Sequence, residues 1–420
     1  SSFTLPISAA TLRAGLASFC VLGSHYLLRP IRDEIAAEFR SDLTEMWTWG
    51  AFLALGAMPI YSMLVSRMGK QRLALRVYLV VATALAIFAG AFRWYSNLGL
   101  ETGSTASGSG AILNKSFYIA TSLYSMFVVS VLWSVLTGAF DSRTSKQIVG
   151  RVFAAGTIGG ICASFFVSQT ADFLDPEYFL VFAAMLLIPS AWALNGLAMT
   201  EPEATDEGNL ASPNRLSTGI GCLKKSHYLQ GIGGYLFLFV LGSSFLYFIQ
   251  SELVRELWPD RGERRTVLGK LDMTVQILTV LSQLFLTSGM IRRWGMPIAL
   301  TVVPVISILG FSALALWPTF ATLAVFSVLR RSSNYAIAKP SREVLYTVVT
   351  SEERYLTKPF LDVGVYRFGD LLSAWLFEGA RVAMAVGISG MALFAVPFCL
   401  AWIPVARYLG RRQEEQARER

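Results

Sequence analysis

The amino-acid sequence predicts an all-α membrane protein with about twelve transmembrane helices in two pseudo-symmetric halves of six. In the 420-residue chain, 54% of the residues are hydrophobic and only 15% are charged. The mean hydropathy is +0.51, which is far from the balance of a soluble globular domain. The apolar residues also fall into long runs, and a helix needs roughly 20 such residues to cross a bilayer.

Twelve apolar runs are long enough to cross a bilayer as helices, and they divide into two sets of six. In the first half we expect spans at approximately 10–35, 43–65, 73–95, 117–140, 152–171 and 178–199. In the second half we expect them at approximately 228–253, 267–291, 296–317, 320–348, 360–385 and 388–408.

A polar stretch separates the two sets of spans and predicts the domain organisation. It contains Glu201, Pro202, Asp206 and Pro213, which are typical of a linker. We therefore expect an N-terminal six-helix bundle at 1–200, a cytoplasmic linker at 201–226, a C-terminal six-helix bundle at 227–410 and a charged tail at 411–420.

The distribution of lysine and arginine predicts the orientation in the membrane. Basic residues follow most even-numbered spans, as at Arg67 and Lys70, and cytoplasmic loops carry such an excess. We therefore expect both termini on the cytoplasmic side of a bacterial inner membrane. The exception is the connection between spans seven and eight, where Arg261, Arg264 and Arg265 would face outward.

Cofactor, metal and catalytic chemistry find little support in the sequence. The four cysteines are scattered, and three of them lie within apolar segments, so neither a disulfide framework nor a metal-ligand spacing is present. No nucleophile elbow, HExxH motif or P-loop occurs. We expect no cofactor, no bound metal and no enzymatic activity.

Two membrane-depth segments share a pattern of a basic residue, proline, any residue, arginine and an acidic residue. The first is Arg29–Asp33 and the second is Lys339–Glu343. Each ionisable group inside a spanning helix costs roughly 2.5 to 3.5 kcal/mol, so such groups usually face a partner or a wet cavity. Proline kinks a helix and re-aims the charges around it. In transporters, broken segments of this kind contact the substrate.

The cations of these segments favour a small anionic substrate. Guanidinium groups suit bidentate binding of phosphate or carboxylate, and an ammonium attracts the same anions as a point charge. Nearby aromatic rings would stack on a flat substrate, although packing is their commoner role. The predicted substrate-binding residues are Arg29, Arg32, Lys339, Arg342, Tyr26, Tyr335, Asn334 and Tyr247.

Other membrane-depth polar groups are interpreted as charge pairs or gates. Opposite charges that pair across helices would hold the bundle or lock one gate, for example Arg367 with Asp370. Lys270 and Asp272 are further candidates for such pairs. The full predicted set is Asp33, Glu34, Glu252, Lys270, Asp272, Glu343, Asp362, Arg367 and Asp370.

A weak internal repeat supports two related halves. The basic glycine turn Ser66–Lys70 between spans two and three has a counterpart in Ile291–Gly295 between spans eight and nine. Its placement resembles the cytoplasmic loop signature of the major facilitator superfamily, without that signature's aspartate and complete glycine pattern. The resemblance implies two halves that rock about a site near the middle of the membrane.

The segment Tyr335–Val348, which reads YAIAKPSREVLYTV, resembles the tenth-helix motif of the ATP/ADP translocase family of plastids and intracellular bacteria. That family has an aromatic residue followed by Asp-Pro-Thr-Lys-Glu-Met-Ala-Tyr. The similarity is strongest from Ser333 to Asp370, which includes the segment Asp362–Asp370, and the first-span segment Tyr26–Asp33 is also similar. Lys339 and Pro30 stand where the family has aspartates. The resemblance implies a bacterial branch whose substrate need not be ATP or ADP.

Carried over to this chain, the resemblance implies that Arg29, Arg32, Lys339 and Arg342 contact the anionic group of the substrate. Asp33, Glu343 and Asp370 would pair with these cations when the site is empty.

These expectations favour a secondary active transporter that exchanges an organic anion, such as a nucleotide or a phosphorylated metabolite, by alternating access. A proton-coupled symporter is the alternative transport mechanism, with Glu252, Asp272 or Asp370 taking the proton. A non-transporting scaffold or sensor is the alternative from another class. We expect a monomer in the lipid bilayer and no nucleic-acid partner.

Overall fold

The computed structural model describes residues 9–67, 70–100, 103, 108–138, 142–198, 221, 223, 226–285, 287–350, 353, 357–358 and 360–419. The side chains of 58–67, 70–73, 137–138, 142–149, 196, 198, 284–285 and 287–294 lie outside this description. Most of the predicted linker at 201–226 and several of the basic loop residues also lie outside it.

Among the described residues, all regular secondary structure is helical, and turns or bends join the helices. The helices are α1 (Ala9–Glu38), α2 (Leu43–Arg67), α3 (Lys70–Asn97), α4 (Ser109–Gly138), α5 (Ser142–Thr170), α6 (Pro176–Ala198), α7 (His227–Leu257), α8 (Arg261–Phe285) and α9 (Thr287–Leu316). The series continues with α10 (Phe320–Ser333), a π-helical turn at Asn334–Ala338, α11 (Lys339–Leu345), a second π-helical turn at Phe360–Val365, α12 (Tyr366–Met384) and α13 (Ile388–Arg418).

These helices correspond to the twelve predicted spans, and the predicted fold class is confirmed. The tenth span contains α10, the first π-helical turn and α11, and the eleventh contains the second π-helical turn and α12. Among the described residues, seven segments are long and apolar enough to cross a membrane on their own composition: Ala74–Asn97, Ser109–Leu136, Gly150–Thr170, Pro176–Asn195, His227–Leu257, Gly295–Leu316 and Ile388–Arg418. Helices such as α1 and α8 carry more charge, because that is where the ionisable clusters lie.

The chain forms two compact units, and two helices contribute to both. Unit 1 comprises Ser1–Phe39, Gly56–Leu210 and Trp258–Met273. Unit 2 comprises Arg40–Leu55, Ala211–Leu257 and Thr274–Arg420. The first part of α2 is therefore in unit 2, and the first part of α8 is in unit 1.

In unit 1, close packing of α1 against α5 depends on small residues. A Cβ added at Gly159 would overlap the backbone of Phe19, so the two helices approach as closely as glycine allows. Ser24 of α1 donates to the carbonyl oxygen of Ala183 in α6 at 2.9 Å. Its hydroxyl oxygen also accepts from Tyr124 of α4 at 2.7 Å, so the hydroxyl groups of Ser24 and Tyr124 are both hydrogen-bonded within this apolar core.

The core of unit 2 lies between α7, α9 and α13. The rings of Tyr235 and Trp402 pack 5.1 Å apart, and both side chains are fully buried. The Tyr235 hydroxyl donates to the carbonyl oxygen of Leu300 at 3.0 Å, which satisfies the one polar atom of this buried ring. A Cβ at Gly410 would overlap the backbone of Pro297, so α13 and α9 are in direct backbone contact.

Large apolar side chains also cover the outside of the helices. Ile87 and Trp94 of α3, Trp192 of α6 and Leu309 of α9 are each more than 60% exposed. A soluble protein rarely exposes such surfaces, whereas lipid tails solvate them. The outer face of these helices is therefore suited to contact with a bilayer.

Candidate functional site

A cavity of about 260 Å³ lies in unit 2 beside the broken tenth span. We call it the Lys339 cavity. Its lining combines two apolar side chains of α7 with charged and aromatic groups from the tenth and eleventh spans: Ile232, Leu236, Lys339, Arg342, Glu343, Tyr346, Asp362 and Tyr366.

The π-helical turn at Asn334–Ala338 shapes this cavity. Pro340 has no N–H to donate, and its ring disfavours regular α-helix in the preceding turn. The chain responds with an extra residue per turn, closed by a bond from the Lys339 N–H to the carbonyl oxygen of Asn334. Lys339 and Arg342 then lie three residues apart at the start of α11, on one face of the helix.

Arg342 is held in place by aromatic residues. Its guanidinium donates to the Tyr366 hydroxyl at 3.0 Å and lies over the Phe239 ring, 4.8 Å from the ring centroid. The side chain is buried, whereas Lys339 is exposed to the cavity. Within the described part of the chain, no ion pair joins either cation to a carboxylate. Glu343 and Asp362 also line the cavity, so Lys339 and Arg342 share it with two carboxylates without forming an ion pair with either one among the described residues.

Glu343 has a different partner from those expected. Its carboxylate accepts from the Lys358 ammonium at 2.5 Å, and Lys358 also lies 5.5 Å from the centroid of the Tyr346 ring. The Tyr346 hydroxyl is buried and has no hydrogen-bond partner among the described residues. The rim of the cavity therefore offers a lysine and an unsatisfied hydroxyl in addition to Lys339 and Arg342.

In unit 1, the predicted cations of α1 are paired. Arg32 donates to one oxygen of Asp33 at 3.0 and 2.7 Å. Arg29 lies 3.5 Å from the other oxygen of Asp33 and 3.4 Å from Asp272 of α8. The Arg29 guanidinium also lies 5.9 Å from the centroid of the Tyr26 ring. This group forms a charge network in which two buried carboxylates face two arginines.

The start of α8 contributes a second set of pairs in unit 1. Arg261 donates to both oxygens of Glu34 at 2.6 and 3.0 Å and to the side-chain oxygen of Asn114 at 3.0 Å. Arg264 donates to Glu38 at 2.6 Å. From the sequence, these arginines are a basic exception in an outward connection. In the structure they are the partners of acidic residues that α1 buries.

Unit 2 contains a further buried arginine, Arg40, which follows α1. Its guanidinium lies 3.4 Å from Glu252 and 3.5 Å from Glu378, and between 4.8 and 5.2 Å from the ring centroids of Phe248 and Phe377. Glu252, a predicted charge-pair residue, therefore has an arginine partner.

The structure brings only part of the predicted set together. The described lining of the Lys339 cavity includes Lys339, Arg342, Glu343 and Asp362, and it does not include Asn334, Tyr335 or Tyr247. Tyr247 packs against Trp47 with ring centroids 5.6 Å apart. Arg367 and Asp370 lie 3.8 Å apart as a pair three residues apart on α12. Lys270 lies on the exposed face of α8.

Arg330 was missed by the sequence analysis. It lies in α10 and is 3% exposed. Its guanidinium donates to the Ser307 hydroxyl, the Ser243 hydroxyl and the carbonyl oxygen of Phe239, each at 3.0 Å. A charged pair of residues, Arg330 and Arg331, in the middle of an apolar span is the signal that could have identified it.

Known proteins resemble this chain in both sequence and fold. No protein-family model matches it. The ADP,ATP carrier protein 1 of Chlamydia muridarum is 23% identical over 344 residues, covering 70% of this chain and 64% of that protein. The ADP,ATP carrier protein 2 of Chlamydia pneumoniae is 21% identical over 223 residues, covering 46% of this chain and 41% of that protein. The matches thus span less than two thirds of these relatives.

Solved transporter structures share the fold over almost the whole chain. A bacterial homologue of the human lysosomal transporter Spinster, in an inward-facing and unoccupied conformation, aligns over 97% of both chains with a TM-score of 0.60 and 14% identity. The nucleoside transporter NupG aligns over 95% of this chain and 98% of its own, with a TM-score of 0.59 and 17% identity.

The human organic anion transporter TETRAN aligns over 96% of this chain and 100% of its own, with a TM-score of 0.57 and 13% identity. The predicted resemblance is confirmed at this level. The chain is similar in sequence to the ADP,ATP carrier proteins of Chlamydia and shares the fold of these solved transporters.

Proposed function

We propose that this chain is a secondary active transporter that exchanges an organic anion, such as a nucleotide or another phosphorylated metabolite, by alternating access. The observation that carries this proposal is the Lys339 cavity. Lys339 and Arg342 lie there at a break in a spanning segment, with no carboxylate ion pair in the described part of the chain. A cation without a counter-charge is costly at membrane depth, and a bound anion removes that cost.

The character of the cavity also supports an anion with an aromatic or apolar part. Ile232 and Leu236 provide an apolar wall, while Tyr346 and Tyr366 place rings beside the cations. Ligand sites usually combine such apolar surface with a few oriented polar groups. The similar proteins agree with this choice of substrate class, since they are named as ADP,ATP carriers, a nucleoside transporter and an organic anion transporter.

The excess of positive charge at the cavity and its rim supports exchange rather than one-way transport. An empty cavity with unneutralised cations would pay an electrostatic cost for crossing the membrane dielectric, whereas a loaded cavity would not. The resemblance makes Arg29 and Arg32 further candidates for contacting an anion, and each would first have to leave its ion pairs with Asp33 or Asp272.

The proposed location is a bacterial inner membrane, with both termini on the cytoplasmic side and the protein acting as a monomer. The basic residues of the even-to-odd loops support this orientation.

Counterflow in proteoliposomes tests the proposal. Vesicles containing the purified full chain are preloaded with one member of a panel of nucleotides and phosphorylated metabolites, and uptake of the labelled compound is followed. We expect saturable uptake for at least one anion, dependent on internal substrate. Uptake that instead follows an imposed pH gradient without preloading would indicate proton-coupled symport. No uptake of any anion under either condition would contradict the transporter assignment and favour a scaffold or sensor.

A further inference from the structure

Among the described residues, the buried guanidinium of Arg330 donates its hydrogen bonds to neutral groups. All three of its hydrogen bonds go to hydroxyl or carbonyl oxygens of Ser307, Ser243 and Phe239. Within the described residues, no ion pair joins it to a carboxylate. A neutral hydrogen-bond donor could connect α10 to α7 and α9 without the desolvation cost of a charge. The hydrogen bonds between these helices therefore do not by themselves explain why the residue is an arginine.

The space for this guanidinium is built into the neighbouring helix. A Cβ on Gly242 of α7 would lie 3.1 Å from Nη2 of Arg330, closer than ordinary contact. Glycine at this position lets the charged group pack against the backbone of α7. The arginine is therefore fixed in place by packing as well as by its hydrogen bonds.

Arg330 and the cavity residue Arg342 share one aromatic ring. Their central guanidinium carbons lie 5.2 and 4.8 Å from the centroid of Phe239, so the two carbons are no more than about 10 Å apart. Salt and water screen exposed charges over this distance but screen buried charges much less. The charge of Arg330 therefore acts on whatever Arg342 binds, although Arg330 itself does not line the cavity.

The net charge of the described residues around the cavity favours a particular charge on the ligand. At the cavity and its rim, three cations (Lys339, Arg342 and Lys358) stand against two carboxylates (Glu343 and Asp362). Arg330 raises the excess from one positive charge to two. A phosphate monoester carries about −1.5 to −2 charges at pH 7, which matches the larger excess.

We propose that Arg330 is a specificity-determining residue, whose buried charge makes the Lys339 cavity prefer a dianionic terminal phosphoryl group to a monoanion of similar shape. This inference rests on the proposed function, because it assumes that the cavity binds the anionic group of a substrate. It deepens that function by naming the phosphoryl dianion as the recognised group.

Two compounds that differ mainly in charge test this assignment. Phenyl phosphate and phenyl sulfate have similar shapes, but only the phosphate carries a second negative charge above about pH 6. Thermal stabilisation of the purified full chain by each compound gives an apparent affinity for each. The variants are Arg330→Met and Arg330→Gln, which remove the charge, and Arg330→Lys, which keeps it. Arg412→Gln removes an exposed cation of α13 and is the control.

The wild type and Arg412→Gln should both prefer the phosphate to the sulfate. Arg330→Met and Arg330→Gln should lose several-fold to about tenfold of that preference, because a unit charge on the order of 10 Å from the ligand in a partly shielded interior contributes about this much. Arg330→Lys should retain most of it.

The assignment is overturned if the wild type binds neither compound or does not discriminate between them, or if both neutral variants keep the full preference. The assignment is also overturned if Arg330→Lys folds but loses the preference for phosphate. This measurement tests the assignment even if the neutral variants do not fold. Counterflow by the wild type separates this outcome from failure of the proposed function. Absence of counterflow contradicts transport, whereas counterflow with unchanged phosphate preference in the Arg330 variants contradicts only the role of Arg330.

Discussion

The fully buried carboxylate of Glu34 in α1 accepts two hydrogen bonds from the guanidinium of Arg261, which is the first residue of α8. These residues are 227 positions apart in the chain. Together with the pair of Arg264 and Glu38, this contact fastens the first turn of α8 to the last turns of α1 within unit 1. The acidic end of α1 is thus neutralised by arginines that follow it much later in the sequence.

Replacing Glu34 by glutamine should destabilise the protein substantially. The change leaves the Arg261 guanidinium without its counter-charge, and breaking a buried ion pair in this way costs about 3 kcal/mol. We expect a clear fall in the unfolding temperature of the purified protein in detergent. The double variant Glu34→Gln, Arg261→Gln should recover part of the loss, because it removes the uncompensated charge as well.

Glu415→Gln provides the matched control for that measurement. Glu415 pairs with Arg412 on α13, and both side chains are more than half exposed. An exposed pair of this kind contributes roughly 0 to 1 kcal/mol. Equal unfolding temperatures for Glu34→Gln and Glu415→Gln would contradict the structural importance of the buried pair.

Gly295 is required by the turn that leads into the apolar part of α9. Its φ of 78° and ψ of 173° lie in a region that residues with a Cβ rarely occupy. A Cβ there would also collide with the Glu414 carboxylate, which accepts from the Met296 N–H at 2.9 Å.

Gly295→Ala should therefore lower the free energy of unfolding by about 1 to 3 kcal/mol. Gly379→Ala is the control, because Gly379 is helical, exposed and has no atom within 4 Å of an added Cβ. That control should be neutral or slightly stabilising, since alanine favours helix. If the two alanine variants unfold at the same temperature, the conformational requirement at Gly295 is refuted.

Glu343→Gln should strengthen anion binding. Its carboxylate pairs with Lys358 at the cavity rim, so neutralising it leaves Lys358 free to attract an anion. Because both side chains are partly or largely exposed, the stability should change by less than about 1 kcal/mol. We expect the substrate concentration for half-maximal counterflow to fall several-fold, and Lys358→Gln should raise it. An increase in that concentration for Glu343→Gln would indicate that the carboxylate contacts the substrate directly.

Much of the fold follows from hydropathy alone. The apolar runs predicted α5, α6 and α13 to within about ten residues at their starts, because a spanning helix must be apolar over the width of the bilayer. The predicted break near Pro340 is present as a π-helical turn, and only its exact form could not be anticipated. A proline in the sequence predicts that the regular helix is disturbed, but it does not predict which backbone conformation results.

The ion-pair partners of the charged side chains could not be predicted from hydropathy. Arg264 meets Glu38 through tertiary packing, which leaves no local spacing signal in the sequence. Asp272 pairs with Arg29 for the same reason. Arg330 lies away from the clusters near prolines, and its environment comes from Phe239 and the two serines that α7 and α9 bring to it by tertiary packing.

The central claim is that Lys339 and Arg342 bind the anionic group of a transported substrate. Counterflow by Lys339→Gln and Arg342→Gln tests it most directly, with Arg412→Gln as the control and with membrane insertion and unfolding temperature measured for each protein. We expect both cavity variants to insert normally and to lose nearly all counterflow, while the control retains it. Near-normal counterflow by both cavity variants would contradict the proposed role of Lys339 and Arg342.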